Sequence, residues 1–445
     1  VLTVAAIAFV DLLSYSLVFP LLPLFAMQFD ATHTQTGMLI GSFALAQMLS
    51  APALGRVSDA RGRKPVLLLT TGGTIAGFVL MGAANSLPLL FAARILDGLT
   101  GGNTTAAQSY ISDVTDARGR AQGFSWLAVA GALGFVCGPV IGGMLAQRSL
   151  QLPAFVAAAI AICNWLVIAF VLPESLKPEE RARRAAANAA AAPPPSAAAQ
   201  RRGPLGSVAR LLAPATRNSR VALLLFLRVA WSIPYNAMFT TFSLFLALRF
   251  GLEAAETGRL LAYAGMLQIS VQALAVGPIT RAVKEDTLLL AALATGGASL
   301  LALALAPNVT VLAACLAPTA LASALFQTVV SAALSKSAAP GETGALLGLA
   351  FSVEAATRVV APVIAGALIS RFGPPAPGIT GACIVAIALP IAFAGTRMQA
   401  AEVARDAQAA ADSKAALAAA LLATDNTPPP TDATPAAAPV VADDE

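Results

Sequence analysis

The chain has 445 residues, of which 57% are hydrophobic and only 11% charged, with a mean hydropathy of +0.75 and a net charge of +5. Domains folded in water carry about 25% charged residues, so lipid must solvate much of this chain. One histidine and four cysteines, all four inside apolar stretches, argue against a zinc site, a disulfide framework or a nucleic-acid surface.

A spanning helix needs about 20 mostly apolar residues. Cutting the chain at its charged and Pro/Gly/Asn-rich breaks leaves twelve such segments, roughly 2–26, 37–57, 66–85, 88–112, 123–146, 153–172, 221–247, 258–280, 287–306, 309–333, 344–370 and 376–396. Most are apolar all round, as helices facing lipid are. The expected fold is an all-α membrane protein of twelve transmembrane helices in two six-helix bundles, 1–172 and 221–396. Val1 in place of Met leads us to expect residues upstream, and no targeting segment is read.

Positive loops stay cytoplasmic. With both termini inside, 21 of the 28 Lys and Arg fall on the inner side and four on the outer, while Arg94, Arg228 and Arg358 fall within spans. A multi-pass protein with both ends in the cytoplasm follows, in a plasma or organelle membrane. The segment 173–220, with its run RARRAAANAAAAPPPSAAAQRRGP, reads as a basic Ala/Pro-rich linker unable to build a core. The tail 397–445 starts Ala-rich, with some helix possible, and ends as an acidic, largely disordered stretch. Residues 138–148, GPVIGGMLAQR, match 361–371, APVIAGALISR, and 51–73 run parallel to 273–297 at nearly the same offset. Two agreeing offsets indicate duplication of a six-helix unit, the architecture of transporters that rock around a midplane site. Asp59 corresponds to Arg281, so its carboxylate works in one half only.

Taken in chain order, the first span carries a lone acid, Asp11, with Tyr15 a turn later. A carboxyl in low dielectric resists ionisation and a neighbouring guanidinium favours it, so a pair such as Asp11 and Arg94 suits a proton switch. Gln47 lies in the second span. The turn Gly55-Arg-Val-Ser-Asp59-Ala-Arg-Gly62-Arg63-Lys64-Pro combines glycines for close approach with cations at the head-group level. In the fourth span Arg94 and Asp97 share a helix face at i,i+3, and ionisable groups at that depth mark ion pathways or a structural ion pair. The fifth span sets Gly134, Gly138, Pro139, Gly142 and Gly143 at spacings that allow close helix packing. Farther on, Glu354 and Arg358 are four apart, the orientation that pairs best on a helix, with Arg228 in the seventh span. They read either as a self-satisfied pair or as cavity groups that sense substrate charge. Asn236, Gln268, Gln272 and Gln327 are further cavity candidates, although each alone is more often a helix-helix hydrogen bond. His33 and the Asn103-Thr-Thr105 sequon carry no functional signal, the first read as surface and the second as buried in a helix. No phosphate-cradling Gly-x-x-x-x-Gly-Lys-Ser/Thr is present. Neither ATP nor any other cofactor is expected, and a monomer is.

The loop at 55–65 resembles the major facilitator superfamily signature, Gly-x-Leu-x-Asp-Arg-x-Gly-Arg-Arg/Lys, with Val57 for Leu and Ala60 for the first Arg. That resemblance covers 1–396 and implies a gating loop: Asp59 latches the cytoplasmic side against a helix of the other half, in a charge relay through Arg63 with Asp113 and Arg120. Arg94-Ile-Leu-Asp-Gly98-Leu-Thr-Gly101 resembles the family's fourth-helix motif, whose Arg is associated with proton coupling. The fifth-span glycines resemble its antiporter motif. The tetracycline-efflux branch has an Asp and a Pro in its first helix at comparable positions, which implies Asp11 as first proton carrier and Asp97 as second. Its third-helix acid has no counterpart here, where Gly77 stands. Stretches such as Phe250-Gly-Leu-Glu and Glu342-Thr-Gly344 are similar to eukaryotic organic cation transporter-like proteins. The resulting expectation is a proton-coupled exporter of small lipophilic or cationic organic compounds, not an enzyme, with negative cavity charge favouring cations. Rival readings are a receptor or scaffold of transporter shape, and a proton symporter for sugars, peptides or organic acids.

Overall fold

A computed structural model describes residues 1–116, 119–176, 218–337 and 343–425. The body of the expected linker and the acidic end of the tail lie outside the described residues. Within them all regular structure is helical: α1 Leu2–Met27, α2 His33–Arg61, α3 Arg63–Gly82, α4 Leu87–Leu99, α5 Asn103–Val114, α6 Gly119–Ala146, α7 Leu152–Phe170, α8 Ser219–Thr240, α9 Phe242–Phe250, α10 Ala254–Ala282, α11 Glu285–Leu305, α12 Val309–Ser337, α13 Thr343–Phe372 and α14 Ala376–Asp425. Residues Val1–Phe393 form one compact unit and the chain from Ala394 onward a second.

Eleven of the described helices are long and apolar enough to cross a membrane, one fewer than expected. The difference lies in the fourth crossing, which is broken into α4 and α5 at Thr100–Gly102. Glycine is a poor helix former, and here Gly98, Gly101 and Gly102 cluster. The backbone acceptors freed by the break are met from α2: the Gln47 amide donates to the Gly101 carbonyl at 2.6 Å, and Ser50 reaches the Gly98 carbonyl at 3.4 Å. Broken helices persist at membrane depth only with such partners.

The large buried apolar clusters fall within 4–172 or within 221–392, so each half has its own core. Contacts between the halves repeat about a pseudo-two-fold relation. A Cβ on Gly258 of α10 would strike the Pro139 carbonyl of α6, and one on Gly37 of α2 would strike the Pro362 carbonyl of α13. A Cβ added to Gly143 would likewise come within 2.5 Å of the Ala254 carbonyl oxygen, and one on Gly366 would strike the His33 carbonyl. His33, expected at the surface, is therefore partly buried at this junction. These contacts close the end of the molecule away from the basic loops. At the basic end, Gly55 in α2, Gly277 in α10 and Gly348 in α13 have, among the described residues, nothing within 4 Å of where a side chain would begin. The described halves are parted there.

Candidate functional site

Inside the first half, α6 lies so close to α1 that Gly134 leaves only 2.6 Å between a notional Cβ and the Phe9 carbonyl, and Gly138 and Gly142 abut Ser16 and Leu17. The Ser16 hydroxyl donates to the Gly134 carbonyl at 2.9 Å. The close packing holds Asp11 opposite the start of α5, where the Asn103 amide donates to its Oδ1 at 2.5 Å.

Arg94 does not pair with Asp11, as had been expected. Its Nη1 lies 3.2 Å from Asp97 Oδ2, and both side chains are buried. The guanidinium stacks over Phe43 at 4.3 Å and stands 5.9 Å from the Tyr15 ring, while its Nε and Nη2 make no hydrogen bond among the described residues. Asp97 fills the space beside Gly77, where an added Cβ would come within 2.9 Å of the Asp97 Cβ. In the second half Glu354 does not pair along its own helix either. It crosses to α8, with Arg228 Nε at 3.4 Å, the Ser232 hydroxyl donating at 2.8 Å and Asn236 at 3.5 Å. Asn236 also donates to the Thr357 hydroxyl at 3.1 Å. Arg358 is left exposed and, among the described residues, without an ion pair.

Two cavities share one lining residue. One, of about 530 Å³, lies within the first half and holds Asp11, Asn103, Thr71, Thr104 and Gln108 among apolar neighbours. The other, of about 300 Å³, is apolar and lies between the halves, walled by Phe135, Tyr235, Phe239 and Phe242, with Gln268 at one side. Ala132 lines both. Aromatic rings run from Phe19 and Phe135 through Phe239 to Tyr235 and Trp231, with successive centroids 5.7 to 6.3 Å apart. Gln327 lies outside this cavity, beside Gln268 in a neighbouring groove.

At the basic end, Arg63 is buried and joins Asp59 at 2.8 Å, Asp113 at 3.0 Å and the Ser58 hydroxyl at 2.9 Å. Asp59 is 46% exposed, and its ion pair is with its own loop. Arg120 donates to the Ser112 carbonyl at 3.2 Å. Glu174 completes the cluster: its carboxylate accepts from the backbone N–H of Arg63 at 2.9 Å and of Lys64 at 3.2 Å, while Lys64 Nζ donates to the Ala169 carbonyl at 2.7 Å. Gly62, at φ +106°, leaves room for that carboxylate as well as for the turn. The expected linker therefore begins as packed structure, since Leu176 is also buried.

Sequence reading missed Asn103, Glu174, Ser232 and Phe43. Each is a neutral, acidic or aromatic group whose role comes from a neighbour far along the chain. A Glu just past a helix end, followed by Leu176, was the one signal available.

Comparison with known proteins agrees with this architecture. The family pattern described as Major Facilitator Superfamily matches residues 4–305. The tetracycline resistance protein, class B, of Escherichia coli is 36% identical over 172 residues, covering 38% of this chain and 43% of that protein. Solute carrier family 67 member A1 of Homo sapiens is 29% identical over 367 residues, covering 80% of this chain and 83% of that protein. Among solved structures, the human organic anion transporter MFSD10 (TETRAN) superposes with a TM-score of 0.61 at 23% identity, covering 88% of this chain and 98% of that one. Two helical cores packed through repeated Gly/Pro contacts, a basic loop locked on Arg63 and a pattern match over most of the chain have one common explanation: this protein belongs to the major facilitator superfamily.

Proposed function

We propose that this protein is a proton-coupled secondary active transporter that exports small lipophilic or cationic organic compounds by alternating access, with Asp11 exchanging the proton. The observation that carries this reading is the contrast among the three carboxylates deep in the spans. Asp97 and Glu354 are each matched by an arginine, while Asp11 has, among the described residues, only the neutral Asn103 and opens on a cavity. A carboxylate without a counter-ion gains most from taking a proton. Closure at one end and separation at the basic end supports alternating access with the substrate cavity reached from the cytoplasm. Asp59, facing solvent on the parted side, fits a latch in its released state. The paired acids leave less negative charge in the cavity than cation selectivity calls for, which favours the lipophilic end of the range.

The test is transport into sealed vesicles with an imposed pH gradient, followed with a fluorescent lipophilic cation. Gradient-driven flux is expected in wild type and its loss in Asp11→Asn. Flux untouched by that substitution would remove Asp11 from the mechanism. The exposed Arg358 favours a second reading, uptake of organic anions by proton symport. Accumulation of a carboxylate dye that requires Arg358 would select it.

A further inference from the structure

Near its middle, α10 changes winding. The Val276 N–H donates to the Val271 carbonyl five residues back, and Val271–Ala275 form one turn of π-helix. Turns of this kind cluster at functional sites, because the inserted residue weakens the helix. Gln268 and Gln272 lie one helical turn apart at this insertion and face Gln327, Ser323, Thr328 and Ser331 of α12 across a groove of about 490 Å³. Among the described residues no charged side chain lines the groove. The Thr328 hydroxyl is turned back onto the Ala324 carbonyl at 2.8 Å. The three carboxamides, by contrast, make no hydrogen bond to other described residues and are half-buried or exposed. Each offers two donors and an acceptor oxygen. Three unspent amides on one groove are an arrangement for a ligand rather than for helix packing.

Gln268 also borders the apolar cavity, so groove and cavity join at a single side chain. The nearby carboxylate, Glu354, is committed to Arg228, Ser232 and Asn236. Among the described residues neither the apolar cavity nor the groove is lined by a charged side chain, so a charged ligand finds no ionic contact within them, whereas a neutral head with hydroxyl or amide groups finds partners of both kinds. We propose that cavity and groove together form the substrate site, and that it takes an uncharged amphiphile. Its ring-bearing apolar body lies among Phe135, Tyr235, Phe239 and Phe242, and its hydroxyl- or amide-rich head lies against Gln268, Gln272 and Gln327. This names the substrate class and rests on the transport reading for its flux measurement only.

The test uses the full chain in nanodiscs and two compounds: 4-methylumbelliferyl glucoside, neutral and rich in hydroxyls, and tetraphenylphosphonium, cationic and without hydrogen-bonding groups. Equilibrium dialysis is expected to show glucoside binding that weakens about tenfold in Gln272→Leu/Gln327→Leu, as loss of two ordinary hydrogen bonds implies. Tetraphenylphosphonium binding should move by less than about twofold. Both side chains are exposed, and an unchanged melting temperature verifies folding. No glucoside binding by wild type, or equal binding by the double variant, overturns the proposal. Proton-driven tetraphenylphosphonium flux without glucoside binding removes the substrate class and leaves transport standing. Amide-dependent glucoside binding without flux of either compound removes transport and leaves the site.

Discussion

Arg94 is held by one ionic hydrogen bond and two aromatic rings, Phe43 and Tyr15, with two of its nitrogens making no hydrogen bond among the described residues. Removing the guanidinium would leave Asp97 buried without a counter-charge, which costs about 3–5 kcal/mol. Arg94→Ala should therefore lower the melting temperature of the protein in detergent sharply, and adding Asp97→Asn should recover much of the loss. A melting temperature equally low in the double variant would place the cost in lost stacking on Phe43 instead. At this scale the sequence was partly legible. Spacing brings Arg94 and Asp97 onto one helix face, and that pair exists. The Asp11–Arg94 pair and the self-satisfied Glu354–Arg358 pair, the latter one of two readings, do not form, because a buried charge takes the partner that three-dimensional packing brings nearest. For Glu354 that partner sits 126 positions earlier, on another helix. Asn103, dismissed as part of an idle sequon, holds Asp11 for the same reason.

Among the elements, α3 begins in an unusual way. Its first residues follow Gly62 in a positive-φ conformation, and their N–H groups are satisfied by Glu174, more than a hundred residues on. A carboxylate there both caps the free amides and faces the positive end of the helix dipole. Glu174→Ala should cost about 1 kcal/mol, in the range of an ordinary cap deletion, and speed hydrogen exchange at Arg63 and Lys64 while leaving α13 unchanged. Equal exchange in both proteins would show that water caps the helix as well. Helix positions were largely readable from apolar run length, which membrane thickness enforces. The break between α4 and α5 was not, because its glycines sit in a run apolar enough to count as continuous and its support comes from Gln47 on another helix. The start of the linker was misread because Glu174 and Leu176 were averaged into an Ala/Pro-rich window that hid them.

For the whole molecule, the repeat seen at 138–148 and 361–371 proves to be a repeated interface. Pro139 against Gly258 and Pro362 against Gly37 are one contact made twice. Duplication was legible because close helix approach tolerates few residue types, whereas the degree of opening was not, since it depends on how two finished cores lean on each other. If transport requires these contacts to separate, a covalent tie across them should stop it. Thr34 and Ser370 have hydroxyl oxygens 3.4 Å apart across α2 and α13. With Cys137, Cys163, Cys315 and Cys383 replaced, Thr34→Cys/Ser370→Cys should lose flux on oxidation and regain it with a reducing agent. Full flux with the bond formed would mean that this end does not open in the cycle.

Ala132 gives the two cavities a common wall. Under the proposed mechanism one holds the carboxylate assigned the proton and the other the apolar room assigned the solute, and Ala132 borders both. Energy conversion by that proposed mechanism is then a problem of insulation. The partition must be thin enough for an occupant on one side to be felt on the other, yet tight enough that protons do not leak down their gradient while no cargo moves.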